Sequence, residues 1–226
     1  MEKTNGGCGR CGRPKRICSS PADGTKPEFC ITEQFEDTLN RAAEQYEIPD
    51  VREFAMAAAR QEQACYERIP DRPGITKPLK PRIVEIMEFC ERMGYRRIGF
   101  AFCGGLMTEA MAVNAIFESN GFEVVSAMCK VGGRDKTCLG LTDEDKIRPG
   151  GHESMCNPIG QAMVLNDAKT QFNIVLGLCV GHDSLFFKYS EAPVTVLAVK
   201  DRLLGHNPLA AIYAGNSYYK YLNKNK

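Results

Sequence analysis

No run of apolar residues in this chain approaches the roughly 20 that a spanning helix needs. The longest, Ile98–Cys103 and Val194–Val199, have the length of strands, so no membrane segment is expected. Net charge is missing too. Lys and Arg number 29 against 28 Asp and Glu, leaving +1, and no broad attraction to nucleic acid or an anionic membrane follows. The basic group Arg10, Arg13, Lys15 and Arg16 reads as a solvated loop around a metal site rather than a nucleic-acid patch. Met1–Asn5 is polar and runs straight into Cys8, so no signal peptide is expected and the expected location is cytoplasmic. Histidine is scarce, at three residues: His152, His182 and His206. There is no P-loop, kinase set or HExxH motif, and Cys103-Gly104-Gly105 lacks the third glycine of a dinucleotide fingerprint.

Cysteine is abundant, with 11 in 226 residues. The number is odd and no secretion signal is read, so clustered thiols point to metal ligands or reactive groups rather than disulfides. A ligand supply dominated by thiolate favours zinc, copper(I) or iron–sulfur over magnesium or calcium.

Three zones are expected. Residues 1–33 carry four cysteines among Gly, Pro, Arg and Lys, with too little apolar content for a core. Residues 34–81 begin with a helical rhythm at Phe35, Leu39, Ala42, Ala43 and Tyr46, ended by Pro49. A second helix is expected from Val51 to Tyr66, then a linker or meander from Arg68 to Pro81. Residues 82–226 alternate helix and strand. Ile98–Phe102, Ile174–Leu178 and Val194–Val199 are almost wholly apolar, as parallel strands covered on both faces must be. The expected fold is α/β: a doubly wound, mainly parallel sheet of Rossmann-like or flavodoxin-like type, with a small N-terminal cysteine-rich metal module and a helical segment. Asn157-Pro158 has the signature of a helix start. Asn207-Pro208 repeats it before an expected last helix reaching about Leu222.

Cys8, Cys11, Cys18 and Cys30 offer four soft ligands within 23 residues, and Cys8-Gly-Arg-Cys11 forms a knuckle. Structural zinc is the expected occupant and an iron–sulfur cluster the alternative. A second set lies at expected strand ends and a helix start: Cys103, Cys129, Cys156 and Cys179. In open α/β sheets those places share the edge where ligands bind. Each of these cysteines alone also reads as packing, because cysteine is among the most buried residues. His182, His206, His152 and Cys138 follow the same edge. Gly177-Leu-Cys179-Val-Gly181 has the outline of a nucleophile elbow with cysteine in place of serine. Cys65 and Cys90 fall on helices and read as core.

The motifs Cys8-Gly-Arg-Cys11, Gly99-Phe-Ala-Phe-Cys103-Gly-Gly-Leu, Cys129-Lys-Val-Gly, Cys156-Asn-Pro-Ile-Gly-Gln-Ala, Gly177-Leu-Cys179-Val-Gly-His-Asp and Val199-Lys-Asp-Arg-Leu-Leu-Gly-His-Asn-Pro run nearly the whole chain. Together they resemble a family of uncharacterised cysteine-rich proteins, domains of unknown function held to be metal-binding, mostly from anaerobic bacteria and archaea. The resemblance implies metal binding through cysteine and supplies no reaction. The first expectation is therefore a metal-binding protein with an N-terminal zinc site and a cysteine-lined metal or iron–sulfur site for redox or sensing chemistry at the sheet edge. It would serve an unknown small molecule or redox partner. The alternatives are a thiol enzyme, with Cys179 as nucleophile and His182 as base, and a non-catalytic, zinc-stabilised binding module.

Overall fold

The structure is a computed structural model and describes residues 7–223. It comprises two compact units, Met1–Ala64 and Cys65–Lys226. In the first, a single 3-10 turn, Cys8–Arg10, precedes three helices: α1 (Ile31–Gln34), α2 (Glu36–Gln45) and α3 (Pro49–Ala64). Pro49 opens α3, where its missing N–H costs nothing because first-turn donors have no partner in the helix.

The second unit opens with a small antiparallel hairpin, β1 (Tyr66–Arg68) with β2 (Thr76–Pro78). It occupies the stretch that reads as a linker. Three-residue strands broken by prolines carry too little alternation to stand out in sequence. Then follow α4 (Arg82–Arg92), β3 (Arg97–Phe102), α5 (Met107–Ser119), β4 (Glu123–Met128), α6 (Pro158–Asp167), β5 (Phe172–Leu176), α7 (His182–Tyr189), β6 (Val194–Ala198) and α8 (Leu209–Tyr213).

Strands β3 to β6 form one parallel sheet in the order β4-β3-β5-β6. Numbered within the sheet this is 2-1-3-4, the flavodoxin-like order, and its direction reverses between β3 and β5. Every residue of β5 is buried, as are the last five of β3. Helices on both faces produce that pattern and the continuous apolar runs behind it. Ala101 and Val175 pack against Ala162 and Leu165 of α6 and Phe186 of α7. On the opposite face Phe100 and Phe102 meet Met107, Ala110 and Met111 of α5 along an open groove. Right-handed crossovers place α5 on one face and α6 and α7 on the other.

Two element ends differ from the sequence expectation. The last helix is five residues long, not fifteen, and Asn207 makes no side-chain cap; Pro208 is the cap residue. The cluster Gly215-Asn216-Ser217 follows within two residues, and these types compete with the helix for backbone hydrogen bonds. Strand β5 stops at Leu176, because Gly177 turns left-handed at φ +61. Cys179 therefore lies in the loop before α7, not at the strand end. Asn157 does cap α6, its side chain accepting from Gly160 N at 2.9 Å. Among the described residues no helix is long and apolar enough to cross a membrane.

Candidate thiol site at the carboxyl edge of the sheet

The loops that leave β3, β4 and β5 meet at the carboxyl edge, on either side of the switch point. Cys103 continues β3 by one more ladder bond, its N–H donating to Leu176 O at 3.1 Å. The chain then turns through Gly104 into α5. Cys129 continues β4 in the same way, its N–H donating to Phe102 O at 2.9 Å. Gly104 N donates to Cys129 Sγ at 3.3 Å, which ties the two loops together.

Cys156 lies 27 residues further on and still reaches Cys129. Asn157 makes the connection. Its N–H donates to Cys129 O at 2.7 Å, its Nδ2 to Val131 O at 3.2 Å, and its Oδ1 caps α6. One residue thus fixes the start of α6 against the end of β4, and the preceding Cys156 thiol falls into hydrogen-bonding contact with Cys129. The two sulfurs divide one proton unequally. The bond to Cys156, with burial behind it, pushes the Cys129 thiol far up. The bond from Cys129 pulls Cys156 down to about 5, against the opposing effect of burial and with help from Lys130 and His182. The opposite directions of the two shifts make Cys156 the more acidic thiol and Cys129 the donor between them. Cys103 lies near enough to Cys129 to raise it further. Cys129 is buried, while Cys103 and Cys156 are half-buried and pack on the same core cluster.

Gln161, on the next turn of α6, holds the strand ends beneath these thiols. It is fully buried, and its Nε2 donates to Phe102 O at 3.2 Å and Ala127 O at 2.6 Å. Its Oε1 has no partner. A glutamine inside an apolar helix was the available sequence signal for this role.

Cys179 lies on the same edge with a different companion. Its Sγ accepts from Arg202 Nη2 at 2.9 Å. The His182 ring acts on Cys156, and its buried Nδ1 has no hydrogen-bond partner. The hydrogen-bonded Cys179–His182 pair that a thiol enzyme of the expected kind would use is not formed. His206 adopts φ +65, and its Nδ1 accepts from Asp201 N at 3.2 Å, which ties the ring into its own loop. His152 pairs with Asp135 and Ser154 in the long excursion between β4 and α6, and Cys138 is exposed there. Cys65 and Cys90 are buried; burial pushes the Cys90 thiol up to about 12.

The N-terminal cysteines are more open. Cys8 and Cys18 are exposed, and Cys11 and Cys30 half-buried. Among the described residues no three His, Cys, Asp or Glu side chains are gathered closely enough to hold an ion, either there or at the sheet edge. What the edge does have is one thiol pair, a third thiol close by, and the cations Lys130 and Arg202 from two loops.

The chain is similar to several known proteins. An uncharacterized protein of Methanocaldococcus jannaschii is 41% identical over 212 residues, which is 94% of this chain and 95% of that protein. Among solved structures, Dph2 from Pyrococcus horikoshii matches with TM-score 0.35, and the same protein with a 4Fe-4S cluster with 0.36. Both are 15% identical, over 65% of this chain and 33% of that one, so this chain spans about a third of the length of Dph2. A family described as a protein of unknown function, DUF1847, matches residues 30–197. On that match and on the archaeal relative, the chain belongs to the DUF1847 family.

Proposed function

We propose that the carboxyl edge of the sheet is a thiophilic metal centre, an iron–sulfur cluster before zinc, held by Cys103, Cys129, Cys156 and Cys179. The carrying observation is the contact of Cys129 with Cys156, from the two ends of the β4–α6 connection, with Cys103 beside them from the loop after β3, the strand that pairs with β4. The donor set fits: sulfur from several loops is what iron–sulfur clusters and thiolate-bound zinc require. A proton shared between a buried and a half-buried thiol is also the proton that a metal displaces on binding. Gly104 N–H already points at one sulfur, and such bonds offset charge on bound sulfur and tune its potential. A bound cluster would supply one-electron chemistry. The chain's own groups would hold it, with Arg202 orienting Cys179 and Gln161 fixing the strand ends.

Preparation without oxygen, followed by metal analysis and a visible spectrum, tests this reading. Brown protein with iron and sulfide, lost in the Cys129→Ser and Cys156→Ser variants and kept in Cys90→Ser, is the expected result. Protein that stays metal-free after reconstitution refutes it. The acidic Cys156 beside Lys130 and His182 favours a second reading, in which Cys156 is a reactive thiol. Metal-free protein that is alkylated selectively at Cys156 would support that one.

A further inference from the structure

Four of the five lysines that are not exposed have partners. Lys80 pairs with Glu88 and Lys136 with Glu153; Lys146 lies between Asp143 and Asp135; Lys130 donates to Ser154 O. Charges withdrawn from water are normally compensated in this way. Lys200 is the fifth, and among the described residues no carboxylate lies within ion-pair distance of it and no acceptor within hydrogen-bond distance.

Its position is specific. Lys200 follows β6, yet its stem crosses the switch point. A Cβ built on Gly177, in the β5 loop, would lie 3.8 Å from Lys200 Cε. A Cβ built on Gly105, in the β3 loop, would lie 3.8 Å from Lys200 Nζ and equally 3.8 Å from Cys103 Sγ. The ammonium thus reaches past the end of β5 to the β3 loop and stands beside the thiol edge, above a glycine that leaves the space between them open. Ligands of doubly wound sheets bind at this crevice.

We infer that Lys200 is the anchor of an anion subsite, which receives the carboxylate or phosphate group of a small molecule whose remainder lies against the thiol edge. This rests on the proposed function only for what the remainder of the molecule meets, because the unpaired lysine exists whether or not metal binds. Lys200 supplies the charge, and the bare Gly105 backbone supplies the room. Arg202, two residues on, adds positive charge to the same loop.

The test is isothermal titration of inorganic phosphate, and separately of succinate, into the protein as purified without oxygen, with metal content measured on the same samples. The expected result is one equivalent of either anion bound, with binding weakened by added sodium chloride and weakened at least about tenfold in Lys200→Gln. Lys200→Arg should restore it, and Lys188→Gln, on the exposed face of α7, should leave it unchanged. Metal content should be the same in all four proteins. Anion binding that survives Lys200→Gln overturns the inference, as does its absence from the wild type. Loss of metal in Lys200→Gln without anion binding in the wild type would make the lysine a counter-charge to the thiols, and likewise overturns it. Should Lys200→Gln not fold, Lys200→Arg and the salt dependence of the wild type decide. A metal-free protein that still binds phosphate through Lys200 would defeat the proposed function alone.

Discussion

Replacing Gln161 by methionine tests how the thiol edge is held in place. Methionine nearly preserves side-chain volume while deleting both donors to the strand ends. Phe102 O keeps a second donor, Cys129 N, so its loss is small. Ala127 O loses a 2.6 Å bond. Two bonds to buried carbonyls are lost, at about 0.5–1.5 kcal/mol each. Against this, Oε1 is already buried without a partner, and removing it returns part of its desolvation cost. The balance is a destabilisation of about 2 kcal/mol. A domain of this size loses roughly 2–4 °C in melting temperature per kcal/mol, so the shift should be about 4–8 °C. Urea unfolding with an unchanged m-value would check it. Cys129 should also become accessible to alkylation before the unit unfolds. A stability within about 0.5 kcal/mol of wild type, a typical surface-substitution effect, would refute the role given to this amide.

Four further outcomes follow from the same geometry. Asn157→Ala removes the α6 cap and the tie to Val131, and should cost about 1 kcal/mol or somewhat more, read by thermal unfolding. In reduced, metal-free protein, alkylation of Cys156 should be nearly independent of pH between about 7 and 9, since its thiol lies near 5 and the thiolate is the reactive form; a rate that climbs through that range would contradict the proton assignment. Asp135 accepts from Thr137 N and Glu153 N, which holds its carboxyl at about 2. A lowered folded-state value means that its contribution is complete above the unfolded value near 3.8 and is lost as pH falls through about 2. Proteolysis within residues 130–156 should therefore rise over that acid window, and Asp135→Asn should make the loop labile at neutral pH as well. For the N-terminal cysteines, Cys11→Ser should release about one metal equivalent and leave the second unit folded, as judged by metal analysis beside its unfolding transition; unchanged metal would end the zinc proposal.

Sequence alone determined the sheet and one helix start. The uninterrupted apolar run at Ile98–Phe102 reads as a strand covered on both sides, which β3 is, whereas the similar run at Val194–Val199 forms the half-buried edge strand β6, and Asn157-Pro158 carries its cap in its own two side chains. Such information is local, so it survives in a string of residues. The hairpin at Tyr66–Arg68 was not legible because three residues hold no periodicity, and the short α8 was missed because a favourable start says nothing about where a helix stops. The site lay further from view. Sequence could nominate Cys103, Cys129, Cys156 and Cys179 as residents of one edge, but strand order decides which loops are neighbours, and the pairing of β3 with β4 sets Cys103 beside Cys129. Which thiol keeps the proton depends first on the bond between Cys129 and Cys156, then on burial, and then on Lys130 from the start of the same connection and His182 from the start of α7. The solitary charge of Lys200 is tertiary for the same reason: an unpaired group is defined by everything around it, and a sequence does not list what stands nearby in space.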